Sequence, residues 1–86
     1  MRYFFHIRDG DSFLDEEGTE LSSLSAVREE AIRSFADILK NNQMSSDFWG
    51  GNPLMLWVTS QSDGHGEKFA EVSFVSGATH GGKMMS

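Results

Sequence analysis

Aromatic and β-branched residues dominate from Arg2 to Arg8, with polar side chains returning at His6 and Arg8, and this pattern predicts a strand. Asp9-Gly10 predicts a hairpin of type I′, in which both central residues take positive φ. A second strand is expected over about Ser12 to Glu16, ended or bulged by Glu17-Gly18-Thr19. From Leu24 the spacing becomes helical: Leu24, Val27, Ala31, Phe35 and Ile38 form a stripe, with Ile32, Ala36 and Leu39 beside it. Ser23 is the expected N-cap and Asn41-Asn42 the C-terminus, since Asn tolerates the left-handed conformation. Two i,i+4 pairs, Glu29–Arg33 and Arg33–Asp37, are expected on the solvent side. Gln43 to Pro53 reads as a loop, Leu54 to Ser60 as an apolar strand, Asp63-Gly64-His65-Gly66 as a turn, and Lys68 to Val75 as a last strand.

These elements predict an α+β domain of ββαββ order: an antiparallel four-stranded sheet with one helix packed on one face. Residues 1–75 make the single domain, and the Gly-rich, aperiodic residues 76–86 are expected to form a flexible C-terminal tail. Strand periodicity divides the sheet into two faces. Tyr3, Phe5, Ile7, Leu54, Leu56, Val58, Ala70, Val72 and Phe74 suit burial beneath the helix. The other face carries Phe4, His6, Arg8, Met55, Trp57, Thr59, Phe69, Glu71, Ser73 and Val75. One helix covers one face only, so this second face is a candidate interaction surface, comprising Phe4, His6, Arg8, Met55, Trp57 and Phe69. The loop aromatics Phe48 and Trp49 either join that surface or fold over it. Trp57 is the expected anchor, because Trp is enriched at binding hot spots.

Composition narrows the reading. In 86 residues there is room for one core, and the absence of Cys removes disulfides and thiolate metal sites. Packing, or a second copy of the chain, must supply the stability. Lack of Cys fits a cytoplasmic location. The short apolar run at the N-terminus is not a signal peptide, and no stretch approaches the ~20 residues that span a bilayer. The net charge of −6 is concentrated: six acids and no Lys or Arg lie between Asp9 and Glu20, while seven acids and seven bases make up the rest. This opposes general nucleic-acid binding, which relies on basic residues releasing counterions.

Catalytic and cofactor motifs fail on their details. Asp9-Gly10-Asp11 with Glu20 mimics a calcium loop, but Phe13 and Leu14 occupy the fifth and sixth positions, where an oxygen ligand and Gly are needed. Gly77 to Lys83 imitates a phosphate-binding loop, yet Met84 replaces the Ser or Thr and no helix can follow. His6, His65 and His80 share no helix face, so no zinc site is expected. Asp15 and Glu17 suit a solvated edge better than a carboxylate pair. No cofactor is expected, and the chain is read as non-catalytic.

The segments Arg2-Tyr3-Phe4-Phe5-His6-Ile7-Arg8-Asp9-Gly10-Asp11 and Asp15-Glu16-Glu17-Gly18-Thr19-Glu20-Leu21 resemble a family of small uncharacterised bacterial proteins. Those proteins open with the same aromatic strand and Asp-Gly turn, followed by an acidic-Gly segment and an Ala/Glu/Arg-rich helix. The resemblance runs from Arg2 to Leu39 and, more loosely, over Leu54 to Phe74. It carries no assigned activity. A fainter, topological likeness to small antitoxins exists. The expected function is a non-catalytic interaction domain that self-associates, as a homodimer, through the open sheet face or an edge strand. An antitoxin-like module binding a basic protein partner is the alternative. Single-stranded nucleic-acid binding on Phe4 and Trp57 is a third, disfavoured by charge.

Overall fold

The computed structural model describes residues 1–77. The aromatic opening forms strand β1, Arg2–Asp9. The chain turns at Gly10 (φ +81°) and returns as β2, Asp11–Phe13. Arg8 faces Ser12 and Asp9 faces Asp11, so Gly10 alone makes the reversal. The expected two-residue type I′ turn is therefore corrected: Asp9 keeps negative φ while its carboxylate accepts from Ser45 N–H and Oγ–H, both at 2.7 Å.

The return strand then breaks. Tyr3 faces Thr19 whereas Ile7 faces Phe13, so four residue steps along β1 oppose six along the returning chain. The two extra residues are thrown out as an excursion over residues 14–18, after which pairing resumes in β3, Thr19–Glu20. The expected four strands are thus five, in an open antiparallel sheet ordered β2-β1-β4-β5 with β3 also on β1.

Helix α1 spans Leu24–Lys40. Ser23 caps it, its Oγ accepting from Ala26 N–H at 3.1 Å. At the other end Asn42 is left-handed (φ 54°), Asn42 N–H reaches Leu39 O, and Gln43 N–H reaches Ile38 O, which together make a Schellman cap. Val27, Ala31 and Phe35 are buried; Leu24, Ile32 and Ala36 stay exposed. Arg33 pairs with Glu30 at i,i+3 (2.7 Å) instead of making the two expected i,i+4 pairs.

The expected 43–53 loop contains a short helix, α2, Ser46–Trp49, capped by Ser45. β4 (Leu54–Thr59) and β5 (Lys68–Phe74) complete the sheet. The core lies between α1 and one sheet face and is built of Tyr3, Val27, Ala31, Phe35, Phe48, Leu54, Leu56 and Val58. No described helix is long and apolar enough to cross a membrane. The expected tail from residue 78 onward, His80 and most of the phosphate-loop imitation lie outside the described residues.

Candidate functional site

The face opposite α1 is built by cross-strand pairs: Phe4 with Thr59, His6 with Trp57, and Arg8 with Met55. The sequence brings these five apolar and polar side chains plus Thr59 to one surface by strict alternation. Phe69 does not join them. The β4–β5 register shifts between Val58 and Thr59, so Val58 faces Ala70 while Thr59 faces Lys68, and Phe69 is left unpaired at the irregularity. Its ring turns to the helix side and meets Tyr3 edge-on, with centroids 5.0 Å apart. Phe48 is likewise in the core, stacked on Phe74 at 5.9 Å, whereas Trp49 is 63% exposed.

The remaining face is largely covered, and neither the Phe48-Trp49 loop nor any described tail residue does it. The excursion 14–18 lies on it from one side and the β4–β5 turn from the other. Gly18 makes the approach feasible: its φ is +75°, and a Cβ there would come within 2.8 Å of the Phe4 ring and 2.7 Å of Arg2 Cγ. Asp15 anchors the excursion. Its Oδ2 accepts from Phe5 N–H (3.1 Å), and its Oδ1 accepts from Glu17 N–H (3.1 Å) and Gly18 N–H (3.0 Å). Burial by itself raises the Asp15 carboxyl, but the N–H groups of Gly18, Phe5 and Glu17, with some help from His6, outweigh it and hold the group below its ordinary value.

His6 is fully buried beneath this cover. Its Nδ1 accepts from Asp15 N–H at 3.1 Å, which places the ring hydrogen on Nε2. Nε2 lies 2.9 Å from Thr59 Oγ1 and 3.2 Å from Gln61 O, and Thr59 Oγ–H donates to Gln61 O at 2.7 Å. Burial holds the imidazole below its ordinary pKa, opposed by the Gln61 carbonyl and by the Asp15 and Asp63 carboxylates. A protonated ring would point Nδ1–H at the Asp15 N–H. His6 is therefore a neutral structural link between β1, the excursion and the β4–β5 turn. Every buried side-chain polar atom among the described residues has a hydrogen-bond partner.

Trp57 is 9% exposed, packs at 5.1 Å against His6, and donates Nε1–H to Gly64 O at 3.1 Å. Arg8 lies over its ring, 5.8 Å from the centroid, at the border of a groove of about 410 Å³ that also reaches Met55, Leu14, His65 and Lys68. Of the sequence-predicted surface, Arg8, Met55 and Trp57 meet in this groove, while Phe4 and His6 lie under the excursion.

Sequence reasoning passed over Asp15 and Leu14 as parts of this face, while Thr59, placed on it by alternation, is where expected. Asp15 followed three residues later by Gly18 is an Asx-turn pattern, and that signal could have located the excursion. No three His, Asp or Glu residues among those described gather as a metal site.

A different apolar surface appears at the end of β5. Trp49 packs edge-on to Phe48 at 4.9 Å, and Phe48 stacks on Phe74, so Trp49 and Phe74 flank the same ring. Trp49, Phe74 (47% exposed) and Val75 (55%) are all large and open. β5 is also the last strand of the sheet, and its outer edge has no partner among the described residues.

No curated protein and no solved structure matches the chain. A family model matches residues 2–74, from the first residue of β1 to the last of β5, and the chain belongs to the family it defines, described as Domain of unknown function (DUF6894).

Proposed function

We propose that this domain is a non-catalytic interaction module that self-associates through the β5 edge. The observation that carries the reading is the open edge of β5 ending in the exposed apolar group Trp49, Phe74 and Val75. An unpaired strand edge is a template for another strand, and natural sheets blunt such edges unless they are used. Charge favours a second copy as the occupant. The acidic segment Asp9–Glu20 runs along the side of the sheet away from β5, through β2, the excursion and β3. β5 itself holds one Lys and one Glu, paired within the strand at 2.6 Å. Two copies joined at β5 keep their acidic edges at the far ends of the combined sheet.

The covered face supports this choice of edge over face. A stacking platform for single-stranded nucleic acid needs open ring faces, and the Trp57 ring already carries His6 and the Arg8 guanidinium against it.

Sedimentation velocity from low to high micromolar protein tests the reading. The wild-type chain is expected to shift from monomer to dimer. Val75→Lys and Trp49→Lys, both at exposed positions, are expected to hold it monomeric with unchanged circular dichroism. A wild-type chain that stays monomeric throughout, or lysine variants that dimerise as well as wild type, would sink the proposal.

A further inference from the structure

Two bases, Arg8 and Lys68, and one acid, Asp63, line the groove beside Trp57, in a chain whose net charge is −6. The Asp63 carboxylate is committed to the turn, where Oδ1 accepts from His65 N–H at 2.8 Å. Lys68 is bound to Glu71 at 2.6 Å. The Arg8 guanidinium makes no hydrogen bond and no ion pair among the described residues and is held over the Trp57 ring. The excursion brings Leu14 to one wall and β4 brings Met55 to the floor. At about 410 Å³ the space falls within the range of small-ligand sites, roughly 300–1,000 Å³.

We propose that this groove binds a small organic carboxylate with an apolar body, its carboxylate on Arg8 and its body against Trp57, Met55 and Leu14. The geometry suits each part. A guanidinium presents a planar fork of N–H donors that matches a carboxylate with two parallel bonds. Stacking on Trp57 orients that fork in advance, so less side-chain freedom is lost on binding. The apolar wall selects against inorganic anions, which gain nothing from it. Gly64 permits the close fit: a Cβ there would lie 3.1 Å from Leu14 Cδ2 and 3.4 Å from Trp57 Cζ2, in a residue at φ +84°. This site is separate from the β5 end at Phe74, so either proposal can fail alone.

Fluorescence titration tests it. The chain has two Trp residues, and Trp49→Phe leaves Trp57 as the single reporter. Phenylacetate is expected to give a saturable change in Trp57 emission, and its neutral analogue 2-phenylethanol a far weaker one. Arg8→Gln should weaken phenylacetate binding by about tenfold or more, the loss expected for a charge-assisted pair. Arg8→Lys should fall between the two, since it keeps the charge but not the fork. The proposal is overturned if phenylethanol binds as well as phenylacetate, if inorganic phosphate binds as tightly, or if Arg8→Gln binds like the parent while retaining its circular dichroism.

Discussion

Asp15 N–H points at His6 Nδ1, and this single contact makes the neutral imidazole part of the folded state. The folded ring is held below its ordinary pKa, so as pH falls the unfolded chain takes up the proton first. The stability contributed by neutral His6 is complete above about pH 6.5 and is lost as pH falls through that value towards the folded pKa. Asp15 acts in the same direction at lower pH. Its depressed carboxyl contributes stability that is present above about pH 3.9 and is lost as pH falls through the folded pKa. The urea midpoint should therefore drop from about pH 7 to pH 5, and drop again below about pH 4. In His6→Asn the side-chain oxygen can still accept from Asp15 N–H but does not titrate. The upper step should flatten in that variant, at a cost of roughly 1–3 kcal/mol from the lost Nε2 donor and ring packing. A wild-type midpoint that stays level across the upper window contradicts the neutral link.

At the scale of elements, α2 turns a nominal loop into part of the core. Its two aromatics are adjacent in sequence and opposite in fate: Phe48 is fully buried and Trp49 is exposed. Asp9 explains the positioning, because its carboxylate grips the Ser45 cap and ties α2 to the tip of the first hairpin. Phe48→Ala should cost about 3–5 kcal/mol in urea unfolding, the usual range for a buried ring replaced by a cavity. Trp49→Ala should cost no more than about 1 kcal/mol, limited to its edge-on contact with Phe48. Equal losses for both would show that Trp49 is covered in solution. Helix α1 was legible down to its caps, since Ser23 and Asn42 act within one turn of the helix and need nothing distant. The second strand was only half legible, because its break depends on Asp15 finding the Phe5 amide across the hairpin.

Across the whole molecule, charge is segregated along the sheet. The acids of residues 9–20 lie on the β2–β3 side, in those strands and the excursion between them, and the β5 edge is free of that excess. Two copies that each carry −6 repel at long range, and salt screens the repulsion. Association through β5 should therefore tighten as salt rises from low to physiological levels in sedimentation experiments. Capture of a basic partner on the acidic edge would weaken over the same range, so the sign of the salt dependence separates the two modes.

The alternation in β1 and β4, the helical stripe and the glycine turns determined by themselves the α+β class, the main helix and the residues beneath it. Tyr3, Phe5, Ile7, Leu54, Leu56 and Val58 are core-facing because side-chain direction in a strand is fixed locally, by the pleat. The cover over the second face was decided only by tertiary structure. It required an excursion held by Asp15 and His6, a bulge that turned Phe69 to the helix side, and a helix that carried Phe48 inward. Each depends on partners nine or more residues away or on extra residues in a ladder, and the local pattern of apolar and polar positions is the same with or without them.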